Sequence, residues 1–465
     1  MPLGAERLSR DNLYAPQGSA PIGSESPGHV PHLTRSIRSM ADSDAIEWLI
    51  DEGRQLLDQF GDVANADLSA DFQDLGLNDK RLIETLNQQL GFRRRSVGRF
   101  PDPKKWIWTE RSLSQSSDWW SAHFKARCFP TDIKVVDACC GAGVDAVAHA
   151  ERNQVRAFDA DPQLCMIARS NLLAHGFDST VSDDEFSQYS FPNSAWLHLD
   201  PDRRTEGGKK STVADDFSPP LREWLAVAKQ MAGGMIKLSP ATELPLAEVE
   251  GALGPCRQMW IGNRRECRQQ LLIFGECREH VNSQIVDNTV LSSDDWNRVA
   301  VLAEPQTCRD DVWESVPLLA AGSEDERAAV TDDWSRVEQM SYVYDLHSTV
   351  HAAEMQASLT AAHGLKGIGA RTGFFGATEK EFSPWFQCFE ILRIVGWDDR
   401  KIRKTLREFD AGTVEVTKRR VKVDANAAQR RYSRPDGVPI TLLVTRCGQR
   451  TKAIVARRVH DADTE

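Results

Sequence analysis

The sequence predicts an α/β protein with an open parallel sheet, a helical N-terminal lobe and a small C-terminal α+β domain. Residues 131–300 alternate short apolar segments with helical periodicity, which is typical of a parallel sheet covered by helices on both faces. Residues 39–130 carry helical periodicity, and residues 391–460 mix strands with basic helices. A length of 465 residues accommodates two or three domains.

The N-terminal part divides into a tail and a helical lobe. Residues 1–38 are rich in Pro, Gly and Ser and lack periodicity, so we expect a disordered tail. Apolar side chains recur at every third or fourth position over residues 43–60 and again over 80–90, which predicts amphipathic helices. A further helix is expected over residues 114–129, leading into the first strand of the sheet.

The central region supplies the strands and helices of the predicted sheet. Strands are expected at 133–137, 154–159, 195–199, 233–238, 256–261 and 270–274, and helices at 143–151, 162–175 and 220–231. Only a turn separates the last two strands, so they should form a hairpin. Residues 301–390 begin with an acidic segment of mixed pattern, and we interpret them as a connecting or insertion region.

A glycine-rich loop follows the first predicted strand and opens the first helix of the sheet. It runs from Asp137 to Asp145 with the sequence Asp-Ala-Cys-Cys-Gly-Ala-Gly-Val-Asp. Gly141 and Gly143 allow the backbone to approach a ligand closely, and with Ala146 they fit the dinucleotide-binding pattern. The loop alone leaves three interpretations open: a dinucleotide site, a site for another nucleotide-like cofactor, or a turn without a ligand.

Three carboxylates at strand ends narrow this choice. Asp137 precedes the glycines, where it would repel a pyrophosphate on the helix N-terminus but tolerate a cationic ligand. Asp159 ends the second strand, at about the distance from the loop where a ribose-binding acid is expected. Asp200 ends a later strand and is followed by Pro201. Ligands of open α/β sheets bind at the carboxyl ends of the strands, so these acids mark the predicted site.

These motifs resemble those of the class I S-adenosylmethionine-dependent methyltransferases, whose sheet is Rossmann-like. The loop is similar to their first motif, and Asp200-Pro201 is similar to their Asp/Asn-Pro motif. The resemblance implies S-adenosyl-L-methionine as cofactor, with Asp159 at its ribose and Asp183 near its adenine. It places Asp200 and Pro201 beside the transferred methyl group, as catalytic residues. The cofactor-binding residues that it implies are Asp137, Cys139, Gly141, Gly143, Asp145, Asp159 and Asp183.

The chain is more similar to one bacterial branch of these enzymes, which has a C-terminal THUMP-like domain. Members share the doubled cysteine of the loop and an Asp-Pro-x-Arg-Arg motif, which here spans residues 200–204 and precedes Gly-Gly-Lys-Lys at 207–210. The similarity also includes residues 106–113 and 418–424. Because THUMP-type domains are associated with structured RNA, the resemblance implies a tRNA or rRNA partner.

Methyl transfer from a sulfonium requires alignment more than acid–base catalysis, because the methyl carbon is already activated. Asp200 is the candidate to orient the acceptor or take its proton. Enzymes that methylate exocyclic base nitrogens often continue this motif with Pro and an aromatic residue that stacks on a flipped base. Asp202 and Arg203 stand there instead, which argues against base N-methylation. Arg203 and Arg204 are candidate substrate contacts, through phosphate or stacking. The alternative for both is an ion pair with Asp202 or Glu206.

The C-terminal region is strongly basic although the whole chain is acidic. Residues 391–459 contain 18 Lys and Arg against 7 Asp and Glu, a balance of +11, whereas the whole chain carries −11. Lys418, Arg419, Arg420 and Lys422 form the densest cluster. Such a cluster fits phosphate binding through counterion release, and we predict that it contacts RNA. The alternative is a basic surface that docks on the acidic remainder of the chain.

Composition disfavours several function classes. No stretch of about eighteen apolar residues is present, and the N-terminus has no secretory h-region, so we expect a cytoplasmic protein without membrane spans. None of the ten cysteines has the Cys-x-x-Cys spacing typical of zinc ligands, so no metal is expected. The adjacent loop cysteines are interpreted as small turn residues, with a nucleophilic role as the alternative. A catalytically silent RNA-binding protein, and a methyltransferase acting on protein or a small molecule, remain as alternatives. A dehydrogenase is disfavoured by Asp137.

Overall fold

A computed structural model gives the fold of the chain. It describes residues 42–59, 67–185, 191–204, 209–264, 266–285, 297–302, 318–321, 330–369 and 373–460. The predicted disordered tail, residues 1–38, lies outside these ranges. The described residues form a helical N-terminal lobe, a nine-stranded sheet and an eight-stranded sheet. None of the described helices is long and apolar enough to cross a membrane.

The N-terminal lobe consists of short helices packed around apolar side chains. Its helices are α1 (Asp42–Trp48), which continues into a π turn at Leu49–Gly53, α2 (Arg54–Gln59), α3 (Ser69–Asp74), α4 (Lys80–Ser96), α5 (Glu110–Gln115) and α6 (Trp119–Arg127). Helix α4 begins where the Asp79 carboxylate accepts hydrogen bonds from the backbone N–H groups of Arg81 and Leu82. The single helix expected over residues 114–129 is instead the end of α5 followed by α6, because Asp118 adopts an extended backbone conformation between them.

The nine-stranded central sheet is mixed. Its strands are β1 (Lys134–Ala138), β2 (Gln154–Phe158), β3 (Thr180–Ser182), β4 (Trp196–Leu199), β5 (Gly233–Leu238), β6 (Arg257–Asn263), β7 (Glu266–Gly275), β8 (Arg298–Leu302) and β9 (Leu318–Ala321). They lie in the order β3-β2-β1-β4-β5-β7-β6-β8-β9. Strands β1 to β5 are parallel, and β7 runs antiparallel between β5 and β6. The chain order reverses at β1, so a crevice for ligands is expected at the carboxyl ends of β1 and β4.

Helices cover both faces of this sheet. They are α7 (Val144–Ala150), α8 (Pro162–Ala174), α9 (Leu221–Ala228), α10 (Leu246–Leu253) and α11 (Glu276–Ile285). Because successive side chains of a strand point to opposite faces, Val135 packs in the core with α7 and α8, and Val136 packs with Trp224 of α9. The predicted α/β architecture is therefore confirmed.

Six of the nine strands coincide with predicted ones, and β6 and β7 form the predicted hairpin. The other three, β3, β8 and β9, were not expected. Strand β3 has only three residues, which is too short to show alternation, and β8 and β9 extend the sheet beyond the hairpin.

The second sheet has eight strands. They are β10 (Val330–Thr331), β11 (Tyr342–Leu346), β12 (Lys366–Ile368), β13 (Phe374–Ala377), β14 (Phe386–Gly396), β15 (Ala411–Lys418), β16 (Val438–Cys447) and β17 (Arg450–Val459). The helices of this region are α12 (Trp334–Val337), α13 (Ser348–Ala352), α14 (Gln356–Ala362), α15 (Asp399–Glu408) and α16 (Ala425–Tyr432). The strands lie in the order β10-β12-β13-β11-β14-β17-β16-β15.

This sheet crosses the boundary that the sequence predicts at residue 391. Strand β14 contains that boundary, and it pairs with β11 on one side and with β17 on the other. The predicted connecting region, residues 301–390, supplies β10 to β13 of the same sheet. The connecting region and the basic C-terminal region thus share one hydrogen-bonded sheet.

The two sheets are in direct contact near the hairpin of the central sheet. A Cβ atom added to Gly262 of β6 would lie 2.0 Å from the hydroxyl oxygen of Thr349 and 2.9 Å from a ring carbon of His347. The Nε2 atom of His347 lies 2.7 Å from the carbonyl oxygen of Arg264, between β6 and β7. Only glycine permits this close approach, so Gly262 is a packing requirement of the contact.

Candidate active site

The glycine-rich loop connects β1 to α7 at the carboxyl edge of the central sheet. Gly141 and Gly143 have φ values of +57° and +82°, in the left-handed region that favours glycine. A Cβ atom added to Gly143 would lie 3.2 Å from that of Ala168, whereas one added to Gly141 would meet nothing within 4 Å. Gly143 is therefore needed for packing on α8, while Gly141 borders open space in which a ligand can lie.

Asp159 follows β2 and contacts the loop through its carboxylate. Its Oδ2 accepts a hydrogen bond from the backbone N–H of Gly141 at 2.8 Å, and its Oδ1 accepts one from the N–H of Asp161 at 3.0 Å. Burial raises the pKa of this carboxyl against the opposing effect of the two N–H groups. Asp183 follows β3, the next strand of the sheet, and is exposed. Both acids therefore lie on the carboxyl edge, with Asp159 against the loop and Asp183 farther out.

Asp137 lies within β1 and is fully buried, so it does not line open space. Its Oδ1 is 2.6 Å from Nδ1 of His198, which lies on the neighbouring strand β4. Its Oδ2 has no hydrogen-bond partner among the described residues. Burial raises the pKa of this carboxyl, and His198 opposes the shift. The structure therefore places Asp137 as an internal link between β1 and β4.

Asp145 belongs to the first turn of α7 and joins a buried ion pair. The Nζ atom of Lys125, in α6, lies 2.7 Å from its Oδ1, and the hydroxyl of Ser117 donates to its Oδ2 at 2.7 Å. Lys125 is completely buried. Burial alone would raise the pKa of Asp145, but the positive charges of Lys125, His198 and Lys237 together outweigh it and hold the pKa below the ordinary value. Asp145 thus fixes the glycine loop and α7 to the N-terminal lobe.

Asp200 follows β4, where its backbone N–H donates to the carbonyl oxygen of Ala138 at 3.2 Å. Its Oδ2 accepts a hydrogen bond from Nζ of Lys237, on the neighbouring strand β5. The Asp200 side chain is 31% exposed and that of Lys237 is 15% exposed, so this ion pair reaches the surface of the crevice. Burial lowers the pKa of Lys237, but the charges of Asp200 and Asp145 outweigh burial and raise it. The buried Pro201 follows directly.

The environment of the two loop cysteines, Cys139 and Cys140, favours the protonated thiol. Cys139 has a φ of +60° and Cys140 donates its backbone N–H to the carbonyl of Phe158 at 2.9 Å. Burial raises the pKa of both thiols, and the nearby carboxylates of Asp137 and Asp159 raise it further. A thiolate is the nucleophilic form of cysteine, so this environment disfavours a nucleophilic role for either residue.

The arginines after the Asp-Pro pair are not held by Asp202. The Asp202 carboxylate instead pairs with Arg111 of α5 at 2.6 Å, and it accepts a hydrogen bond from the backbone N–H of Arg204 at 3.1 Å. Within the described ranges, neither Arg203 nor Arg204 forms a side-chain ion pair. Glu206, the other predicted partner, lies outside those ranges. Among the described residues, the expected ion pair of Arg203 or Arg204 with Asp202 is therefore absent.

The basic cluster of the C-terminal region divides into two kinds of residue. Nε and Nη2 of Arg419 donate to Oδ1 of Asp345 at 3.1 and 2.7 Å, and Lys418 donates to a backbone carbonyl. Arg420 and Lys422 are exposed, and neither has an ion pair within the part of the chain that the structure describes. The structure thus uses Arg419 to tie β15 to β11 and leaves Arg420 and Lys422 facing water.

The residues at this edge suit a cofactor that carries hydroxyl groups and a positive charge. Carboxylate oxygens accept hydrogen bonds from hydroxyl groups, and Asp159 lies beside the open space at Gly141. The described side chains at the edge include several carboxylates, which attract a sulfonium and repel a pyrophosphate. Groups of three or more side chains suited to a metal ion are absent among the described residues.

The chain is similar to several known proteins. Residues 386–458 match the model of a family described as THUMP domain-like. An uncharacterized S-adenosylmethionine-dependent methyltransferase of Mycobacterium tuberculosis (strain CDC 1551 / Oshkosh) is 24% identical over 364 residues, which cover 77% of this chain and 90% of the relative. Its counterpart in strain ATCC 25618 / H37Rv matches to the same extent. The crystal structure of a candidate methyltransferase from Porphyromonas gingivalis W83 has a TM-score of 0.65 at 17% identity and covers 90% of this chain and 100% of that one.

The chain has the class I methyltransferase fold and a C-terminal THUMP-like domain. The matches confirm the predicted enzyme class, a methyltransferase that uses S-adenosylmethionine. The THUMP-like match begins at Phe386, the first residue of β14, five residues before the predicted domain boundary. The domain therefore comprises β14 to β17 with α15 and α16, and it shares its sheet with β10 to β13.

Sequence reasoning missed four polar residues that pair with the carboxylates of the candidate site: Arg111, Lys125, His198 and Lys237. The sequence around each of these residues predicts only a helix or a strand. The carboxylate with which each residue pairs belongs to a different element of the fold. A signal was present for Lys237, which is the one charge in the apolar strand Gly233–Leu238 and stands near its carboxyl end. His198 interrupts the apolar strand β4 in the same way.

Proposed function

We propose that this methyltransferase modifies structured RNA, tRNA or rRNA, and that the THUMP-like domain binds the RNA. This proposal rests on two exposed cations, Arg420 and Lys422, which have no ion pair among the described residues, and on the balance of +11 over residues 391–459. Exposed cations release counterions when they contact phosphates, which favours a polyanionic partner. The acidic remainder of the chain does not neutralise these two side chains through any ion pair that involves the described residues.

The carboxyl edge of the central sheet is the proposed cofactor site. When bound, S-adenosylmethionine supplies a methyl carbon activated by a positively charged sulfur. Asp159 accepts hydrogen bonds from the ribose hydroxyls, and the exposed Asp183 lies on the adenine side. Gly141 and Gly143 have no side chain that would obstruct the approach of the cofactor to the loop backbone. Asp137 and Asp145 fix the two ends of the loop through buried contacts with His198 and Lys125.

The substrate side of the site is proposed to begin at Asp200. Its carboxylate is partly exposed, and it stands between the glycine loop and the segment that carries Arg203 and Arg204. The two guanidinium groups contact phosphates near the acceptor, because a planar guanidinium matches two phosphate oxygens. Arg420 and Lys422 contact phosphates farther along the RNA.

Labelled S-adenosylmethionine, incubated separately with total cellular RNA and total cellular protein, tests this function. We expect label in structured RNA, and we expect transfer to fall steeply with rising salt. Label in the protein fraction alone would replace RNA by a protein substrate. Cofactor binding with no label in either fraction would favour the catalytically silent RNA-binding protein.

Asp159→Ala tests the cofactor site separately. Loss of hydrogen bonds from a charged group weakens binding by about 1.5–3 kcal/mol, so the dissociation constant for the cofactor should rise roughly 10- to 150-fold. Asp178→Ala is the matched control, because Asp178 is an exposed carboxylate at the opposite, amino end of β3. Isothermal titration calorimetry measures both. Equal affinity in the two variants would exclude Asp159 from the cofactor site.

A further inference from the structure

We propose that the methyl acceptor is a hydroxyl group, of the kind that RNA carries at the ribose 2′ position, and that Lys237 acts on it together with Asp200. The inference rests on the proposed RNA substrate and goes beyond it by naming the accepting atom. Its basis is the ion pair at the carboxyl ends of β4 and β5, where Lys237 contacts only one of the two Asp200 oxygens.

The ion pair fixes how the Asp200 carboxylate is presented. Oδ2 accepts the hydrogen bond from Lys237, and the backbone N–H of Asp200 is held by Ala138 of β1. Oδ1 forms no hydrogen bond within the described residues, and the side chain is 31% exposed. Asp200 therefore keeps Oδ1 without a hydrogen bond among the described residues, on a partly exposed side chain, and this oxygen can accept a hydrogen bond from an acceptor hydroxyl.

The ammonium of Lys237 discriminates between an oxygen acceptor and a nitrogen acceptor. A hydroxyl becomes a good nucleophile as its proton leaves, and negative charge then develops on the oxygen. An ammonium has three N–H donors, of which Lys237 directs one to Asp200, so others remain to stabilise that charge. A base nitrogen that attacks a methyl group develops positive charge instead, which an adjacent ammonium repels.

The residues around this pair agree with an oxygen acceptor. The motif continues from Pro201 to Asp202 and Arg203, so it supplies no aromatic side chain to stack on a flipped base. Asp202 is held by Arg111 and does not compete with Asp200 for the acceptor. RNA carries a hydroxyl on every ribose, and that group distinguishes it from DNA.

The proposed step balances in atoms and electrons. The acceptor oxygen forms a bond to the methyl carbon, the electron pair of the carbon–sulfur bond stays on sulfur, and the O–H proton passes to Oδ1 of Asp200. Lys237 keeps its three protons throughout and stabilises the oxygen as it loses its own. The proton then leaves the partly exposed Asp200 for solvent.

Alkaline hydrolysis of the labelled RNA tests the accepting atom. Alkali cleaves RNA through the free 2′ hydroxyl, so a methylated 2′ oxygen leaves the label in an alkali-resistant dinucleotide. A methylated base leaves it in a mononucleotide. We expect label in dinucleotides from RNA treated with the wild-type chain. Label in mononucleotides would overturn the hydroxyl acceptor and leave RNA methylation standing, whereas RNA without label would overturn the proposed function itself.

Lys237→Met and Lys237→Arg test the role of the ammonium, with Lys229→Met as control because Lys229 is an exposed lysine at the end of α9. We expect Lys237→Met to lower kcat about 10²- to 10³-fold while the affinity for the cofactor stays unchanged. The pH profile of kcat should change as well, because the variant lacks the positive charge beside the Asp200 carboxylate. Lys237→Arg should restore part of kcat.

A Lys237→Met variant that keeps wild-type kcat and the wild-type pH profile would overturn the role of Lys237. Circular dichroism and cofactor affinity show whether the variant folds. Should Lys237→Met fail to fold, the comparison between Lys237→Arg and the wild type carries the test. The guanidinium of Lys237→Arg keeps the positive charge but presents its N–H donors with a different geometry. If this variant and the wild type had the same kcat and the same pH profile, the result would count against a specific role for the position of the Lys237 Nζ atom.

Discussion

Several charged side chains at the carboxyl edge of the central sheet are buried and paired, whereas several of those on the THUMP-like domain are exposed. At the edge, Asp145 is paired with a completely buried lysine, and Asp137 lies against a buried histidine. On the THUMP-like domain, Arg420 and Lys422 face water without an ion pair among the described residues. Buried charges are costly unless paired, so those at the edge hold a fixed geometry. Exposed cations keep their hydration and can exchange it for phosphate.

This difference assigns distinct duties to the two regions. A crevice that aligns a methyl group with its acceptor requires positions fixed to a fraction of an ångström, and paired buried groups supply that rigidity. A surface that binds many phosphates tolerates movement of each side chain. Arg419 stands between these cases, because it belongs to the basic cluster in sequence but pairs with the largely buried Asp345. Variants of the buried Lys125, the half-buried Arg419 and the exposed Arg420 and Lys422 therefore distinguish an effect on stability from an effect on RNA binding.

Lys125→Met should have the largest effect on stability. It leaves the Asp145 carboxylate buried without its partner, and breaking a buried pair costs about 3–5 kcal/mol. The free energy of unfolding, from denaturant titration followed by tryptophan fluorescence, measures this loss. Lys134→Met is the control, because Lys134 is exposed at the start of β1. A loss below about 1 kcal/mol, within the range of exposed pairs, would show that the pair does not stabilise the edge.

The same pair predicts a dependence on pH. The folded-state pKa of Asp145 lies below its unfolded value of about 3.9, because Lys125, together with His198 and Lys237, outweighs burial. The stability that Asp145 contributes is therefore present above that unfolded value and is lost as the pH falls below it. In Lys125→Met the largest of the charges that oppose burial is lost, so the folded-state pKa of Asp145 rises and its depression is reduced. The difference in unfolding free energy between the two chains should thus shrink as the pH falls through the unfolded value of about 3.9, and a constant difference there would contradict the pairing.

Arg419→Met should have an intermediate effect, on stability and not on RNA binding. It removes two hydrogen bonds to Asp345, whose side chain is only 7% exposed, at a cost of about 1.5–3 kcal/mol. Arg420→Met is the neighbouring control. The unfolding free energy and the salt dependence of RNA binding are measured for both. If Arg419→Met changed the salt dependence of RNA binding but not the unfolding free energy, Arg419 would contact phosphate, as the sequence predicts.

The sequence predicts well those features that depend on local pattern. Apart from β3, the strands up to β7 follow from the apolar pattern, and the glycine loop follows from the position of Gly141 and Gly143. It does not predict pairings between distant segments. Lys125 and Asp145, or Arg419 and Asp345, are brought together only by the packing of separate elements. The basic cluster therefore looks like one continuous patch in the sequence, although in the fold Arg419 is paired while Arg420 and Lys422 are exposed.

The joint sheet could not be predicted for the same reason. Strand β14 pairs with β11 before it in the chain and with β17 after it, across the boundary that a change in composition suggests at residue 391. The amino-acid composition of a segment depends largely on which side chains it exposes. Strands, however, pair through backbone hydrogen bonds, which depend only weakly on residue type. A change in composition therefore does not show where a sheet ends.

The double variant Arg420→Ala, Lys422→Ala should have the smallest effect on the fold and a selective effect on RNA. Both side chains are exposed, so the unfolding free energy should change by less than about 0.5 kcal/mol for each. The slope of log binding constant against log salt should fall by about one for each phosphate contact that is lost. Filter binding of structured RNA at several salt concentrations measures this slope, and Lys229→Ala serves as control. An unchanged slope would mean that the exposed cations of the THUMP-like domain do not contact phosphate, and the contrast between the two regions would then reflect solubility alone.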